Sequence, residues 1–121
     1  MKKAIIAIQL LLICASLSAR AVFHISGGFG TGQDYLRMSA SEKRAYAMGA
    51  VNGMVVAPFF GAPEKSTKWL YGYFKGGTSD QMAAIITKYL NDNPQLWHQN
   101  LNYLTYNAIH DAYEKAHPQG R

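Results

Sequence analysis

The 121-residue chain is long enough for one domain but not two, and its formal charge of +5 at pH 7 first suggests an anionic partner. The charge is unevenly placed. The opening "MKKAIIAIQLLLICASLSARA" has Lys2 and Lys3, an apolar run from Ala4 to Cys14, and then small residues.

That layout is a secretory signal peptide over residues 1–21, with Ala19-Arg20-Ala21 as an A-x-A cleavage site and Val22 as the first mature residue. The apolar run is short and broken by Gln9, whereas a bilayer span needs about 20 apolar residues. Cys14 opens a second reading, a lipidated signal, although Ile13 stands where a small residue is expected before the cysteine. Removing the signal takes away Lys2, Lys3, Arg20 and the only cysteine. Nine basic and seven acidic residues remain, so the mature chain is near +2 and loses the main argument for nucleic-acid binding. Without cysteine it holds no disulfide, even in an oxidising compartment such as the periplasm, so packing must supply its stability.

Residues 22–38 are Gly-rich and aperiodic, which predicts a flexible N-terminal arm. Ser39 with Glu42 forms a capping box that starts a helix over about 40–57. Ala45, Met48, Gly49, Asn52, Gly53 and Val56 recur along it at helical spacing, and Pro58 ends or kinks it. Residues 61–77 are aromatic-rich and fit either a short helix or an extended segment, closed by Gly76-Gly77. Thr78 with Gln81 caps the next helix, whose stripe is Met82, Ile85, Ile86, Tyr89 and Leu90. Asn91-Asp92-Asn93 before Pro94 stops it. Asn93 then caps a last helix with Pro94 in its first turn; Trp97, Leu101, Leu104, Ala108, Ala112 and Tyr113 line one face to about Ala116. Two helices joined so tightly pack on each other, and Trp97 anchors their corner. The class is all-α: about three main helices and one or two short ones, in a domain spanning 39–117 with a tail at 118–121.

Few residues suggest chemistry. "GGFGTGQD" has P-loop glycine spacing at Gly27 and Gly32, but Gln33 and Asp34 replace the required Lys and Ser/Thr. His110, Glu114 and His117 share a helical face at i, i+4 and i+7, which is metal-ligand spacing beside a solvated-face reading. Ser26, Ser39, Ser41, Ser66 and Ser79 lack an obvious histidine and carboxylate constellation, and His98 reads as a partly buried structural histidine rather than a catalytic base. The expectation is no enzyme, no cofactor and no metal. Gly49 and Gly53 make G-x-x-x-G, which predicts a second helix crossing closely there. The mature chain keeps both Trp, all eight Tyr and all five Phe, enough to fill a core and to leave anchors for a binding face.

"GQDYLRMSASEKRAYAMGAVNGM", with Tyr46, Gly49 and Gly53 in Tyr-x-x-Gly-x-x-x-Gly, resembles the opening of the Rap/Tai family of type VI secretion immunity proteins. "KYLNDNPQLWH" and "AIHDAYEKA" are similar to that family's later elements, so the likeness runs over roughly residues 32–116. Many members carry a cysteine pair, at positions that fall near Lys43 and Gly72; neither is cysteine here. The resemblance implies a helical periplasmic protein, often a dimer. Such a protein binds an injected cell-wall hydrolase, typically a peptidoglycan amidase, and occludes its active site. Once the signal is cleaved it needs neither membrane nor nucleic acid. A protruding loop is the natural plug. The candidate contacts are Phe59, Phe60, Glu64 and Lys65 within 58–68, and Tyr71, Tyr73 and Lys75 within 71–77. Two other readings stand beside it: a periplasmic stress or chaperone-like protein with exposed apolar surface, and a small enzyme or metal carrier using His110, Glu114 and His117.

Overall fold

The structure, a computed structural model, describes residues 30–118. The signal peptide, Cys14, Ser26, residues 22–29 of the arm and 119–121 of the tail lie outside the described residues. Over the described residues the fold is all-α, with five helices, three of them long. They are α1 (Gly32–Arg37), α2 (Ala40–Val56), α3 (Lys68–Tyr73), α4 (Ser79–Asp92) and α5 (Leu101–Ala116). Single 3-10 turns occupy Ala57–Phe60, Glu64–Ser66 and Pro94–Leu96. No described helix is long and apolar enough to cross a membrane.

Capping boxes start α1, α2 and α4. Thr31, Ser39 and Thr78 each accept from the backbone N–H three residues on, and Asp34, Glu42 and Gln81 each accept the cap's own N–H in return. The boxes at Ser39 and Thr78 match the sequence reading. The one at Thr31 corrects it: the end of the expected arm is α1, and the helical domain begins near Gly30 rather than at Ser39. The signal was present as Thr-Gly-Gln-Asp, a cap residue followed three positions later by a carboxylate.

This segment is built into the body of the protein. Gly32 N–H donates to Gln99 O at 3.3 Å, Gln33 N–H to Trp97 O at 3.0 Å and Leu101 N–H to Gly30 O at 2.9 Å. Those bonds engage the backbone of residues 97–101, which explains a second correction. The last helix does not start at Pro94. It starts at Leu101, capped by the Asn100 side chain, which accepts from Asn102 N–H at 2.9 Å. Asn93 makes no side-chain cap; its amide turns back to Tyr89 O at 2.8 Å.

The core lies where α2, α4 and α5 meet. Tyr35, Ala47, Ile86, Leu90, Leu101, Leu104 and Ala108 are buried together, and Val51, Leu70 and Ile109 form a second cluster beneath α3. Met82 and Ile85 of α4 pack against both. Tyr35 is fully buried, edge-on to Tyr46 at 5.6 Å, and its hydroxyl donates to Ala83 O at 3.0 Å. Burial raises the pKa of both phenols, so each stays a neutral hydrogen-bonding group. The corner after α4 closes as expected, with Trp97 half-buried against the core and its indole N–H donating to Leu90 O at 2.7 Å. His98 is exposed rather than partly buried.

One more expectation is overturned. No described helix crosses at Gly49 and Gly53: both are exposed, and a Cβ at either would meet nothing within 4 Å among the described residues. With Ala45, Met48, Asn52 and Val56 they form the solvent face of α2. The helix instead buries Ala47 and Val51, backed by Tyr46, Met54 and Val55. That line carries the apolar bulk, whereas glycines have no side chain to remove from water.

Candidate functional site

The contact residues named from the sequence run from the end of α2 through α3: Phe59, Phe60, Glu64 and Lys65 precede α3, Tyr71 and Tyr73 lie in it, and Lys75 follows it. At the end of α2, Pro58 has no N–H to continue the helix, and the chain tightens into the Ala57–Phe60 turn. Gly61 ends that turn at φ 96°, a left-handed conformation that favours glycine. Its N–H donates to Pro58 O at 3.1 Å, and Ala62 N–H donates to Ala57 O at 3.2 Å. A short, internally bonded turn therefore carries Phe59 and Phe60, which are 87% and 86% exposed, the two most exposed large apolar side chains among the described residues. Neither contributes to the core.

Glu64 and Lys65 occupy the next turn, both exposed. Tyr71 points outward from α3 at 71% exposure, and Lys75 is exposed beyond its end. Tyr71 and Lys75 also border a groove of about 250 Å³ floored by Val51, Val55, Leu70 and Met82. Val55 precedes Phe59 by four residues, so a concave apolar surface and a convex aromatic one follow each other along the chain.

Tyr73 is placed differently from the other candidates. It is half-buried in a seam that fastens α3 to α5, 5.6 Å from the Tyr113 ring and 5.9 Å from that of His117. Trp69 is the other half of the seam, 4.8 Å from Tyr113 and 5.2 Å from His110, with its indole N–H on Ser66 O at 3.0 Å. Tyr106 stacks on His110 along α5 with centroids 5.8 Å apart, and Tyr113 stacks on His117 at the helix's end at 4.6 Å. The sequence shows the spacing of these residues; which helix they face follows only from the fold.

This seam also locates the metal-ligand candidates. His110 Nδ1 is 3.8 Å from Glu114 Oε1, while His117 Nδ1 lies 3.0 Å from Tyr113 O and its ring stacks on Tyr113. Among the described residues no three His, Cys, Asp or Glu side chains cluster as a metal site. Ser39 and Ser41 hydroxyls face each other at 3.2 Å in the α2 cap, where Ser39 also donates to Glu42 at 2.7 Å. That arrangement caps a helix.

A second groove, of about 520 Å³, lies beside the glycine face of α2 and is lined by Met38, Ala45, Tyr46, Gly49 and Asn102, with Glu42 at its edge. No member of the sequence-derived contact set borders it. Lys68, one turn from Lys65, is a surface residue that the sequence reading passed over.

Compared with known protein families, curated proteins and solved structures, the chain matches none.

Proposed function

We propose that this protein is a periplasmic immunity protein that neutralises a cognate type VI secretion toxin, a cell-wall hydrolase of the peptidoglycan amidase class, by covering its active-site cleft. The single observation that carries the reading is the Phe59–Phe60 turn. Two adjacent aromatic side chains stand almost fully in water on a backbone held by its own hydrogen bonds. Exposing that much apolar surface is unfavourable for a free protein. A rigid aromatic pair is also the kind of anchor that dominates binding energy, because little conformational freedom is lost when it enters a pocket. Tyr71 and the groove beside it extend the same edge. Inhibition needs no chemistry from such a protein; it needs a rigid shape and a well-packed support.

The resemblance of "AYAMGAVNGM" and "KYLNDNPQLWH" to the Rap/Tai pattern supplies the class of partner. A second copy of the chain on the glycine face of α2 would complete the dimer that the resemblance implies.

The test is co-purification with the product of the neighbouring gene, followed by a peptidoglycan-degradation assay. A stoichiometric complex that abolishes degradation is expected, with Phe59→Ala/Phe60→Ala losing at least about 30-fold in affinity. An unchanged toxin, or weak capture of many unfolded clients in its place, would reject the reading and favour the chaperone-like alternative.

A further inference from the structure

Charge is not spread evenly over the described residues. Outside 57–77, the charged groups are engaged with one another or with caps and rings. Arg37 meets Asp34 at 3.8 Å, Arg44 meets Asp80 at 3.4 Å, Lys88 meets Asp92 at 2.8 Å and Lys115 meets Asp111 at 2.7 Å. Lys43 lies 5.6 Å over the Tyr35 ring, Glu42 accepts from Ser39 N–H at 2.7 Å, and Glu114 faces His110. Those residues comprise five basic and six acidic groups, a net −1. The segment 57–77 holds Lys65, Lys68 and Lys75 against Glu64 alone, a net +2. All four are exposed, and none of the three lysines has a carboxylate partner among the described residues. The uncompensated positive charge therefore lies in the same segment as Phe59, Phe60 and Tyr71, with Lys75 and Tyr71 bordering one groove.

We propose, resting on the binding reading above, that this edge fits a protein surface in which an apolar socket is rimmed by carboxylates. The Phe59–Phe60 pair enters the socket, an apolar side chain of the partner fills the groove between α2 and α3, and the rim carboxylates meet Lys65, Lys68 and Lys75. Three exposed aromatics supply on the order of 400–500 Å², over half of the roughly 800 Å² per partner that a stable interface buries. The lysine stems and the groove extend that area. A second copy of this chain would bring the same net +2 against it, and like charges across an interface oppose association. A bilayer surface is flat and leaves a groove of about 250 Å³ unfilled. An acidic-rimmed protein satisfies both the shape and the charge, and its attraction for the lysines speeds encounter in a salt-dependent way.

The test needs no knowledge of the partner. Protein expressed from the full sequence and labelled with 15N is titrated with two helical peptides of about 18 residues, long enough to hold a helix. They share one Leu/Trp stripe, flanked in one peptide by Glu and in the other by Lys. The Glu-flanked peptide is expected to perturb amides within 57–75 and to bind about tenfold more weakly as salt is raised from low concentration to ~0.3 M. The Lys-flanked peptide should do neither. Lys65→Glu/Lys68→Glu/Lys75→Glu changes only exposed side chains, and it should reverse the preference. Equal binding of the two peptides, or perturbation elsewhere on the fold, would overturn the proposal. So would preferential binding to phosphatidylglycerol vesicles, or peptide-free shifts on concentration that map to this edge. If the hydrolase assay fails while the Glu preference holds, the toxin assignment falls and this inference stands. If the hydrolase is inhibited without any charge preference, the reverse follows.

Discussion

The indole N–H of Trp97 donates to the carbonyl of Leu90 across the Asn93-Pro94 break, at 2.7 Å. Leu90 lies in the last turn of α4, where helix carbonyls have no partner further along the helix. Asn93 N–H reaches the same oxygen at 3.1 Å. The break is thus a folding device, in which the residue beyond the turn finishes the helix before it. Replacing Trp97 with Phe keeps most of the apolar bulk but removes the donor. A loss of about 1 kcal/mol is expected, because the carbonyl retains one partner. Urea unfolding of the two proteins, compared at equal slope, measures it.

Gly32 is where α1 meets the core. A Cβ there would lie 2.8 Å from Leu104 Cδ1, 2.9 Å from Leu90 Cδ2 and 3.3 Å from the Trp97 backbone. The leucine tips are themselves buried in the core and have little room to withdraw. Gly32→Ala should destabilise by about 1–3 kcal/mol, the usual range for overpacking. The check is thermal unfolding, with amide exchange at residues 97–101 reporting whether the arm has detached.

The opposite outcome is expected on α2. Gly49→Ala and Gly53→Ala each place a methyl group in open space and remove the helix penalty of glycine. Each should stabilise the isolated chain by about 0.5–1 kcal/mol, measurable by chemical denaturation. If a second copy packs on this face, the same substitutions weaken the dimer while raising monomer stability, which sedimentation at several concentrations separates.

Acid stability should trace the caps. The Asp34 carboxyl is held below the ordinary carboxylate range, first by Thr31 N–H at 2.8 Å and then by the Thr31 hydroxyl at 2.8 Å. Ser39 does the same to Glu42, its N–H first and its hydroxyl second. A carboxylate whose folded pKa is lowered contributes stability above its unfolded value, about 3.9 for Asp and 4.3 for Glu. That contribution is lost as pH falls through the folded value. The wild-type melting temperature should therefore drop below about pH 4.5 more steeply than that of Asp34→Asn/Glu42→Gln, with the two curves converging at the acid end. Melting curves in steps between neutral pH and the acid limit test this.

Much of this was legible locally. The boxes at Ser39 and Thr78, the stop before Pro94, the stripe from Met82 to Leu90 and the end of α2 at Pro58 all rest on a few neighbouring residues. Thr31 and Asp34 form a signal of the same kind, hidden among glycines that pointed to a loop. Two features were not settled by local signals, although Asn100 is itself a good cap residue. The start of α5 at Leu101 depends on hydrogen bonds from residues 30–33, about 70 positions away in the chain. The glycine spacing on α2 is compatible with a buried or an open face, and the chain alone does not choose between them.

Capping, proline geometry and helical period act over three or four residues, so the all-α class, the helix starts at Ser39 and Thr78 and the aromatic, lysine-bearing stretch between α2 and α4 could be read from the chain. Long-range packing set which face of α2 is buried, made the end of the arm part of the body, and turned Tyr73 inward while Phe59, Phe60 and Tyr71 stay in water. Those outcomes depend on which distant side chains fill the same volume and which backbone groups find partners across the chain, and neither follows from local spacing.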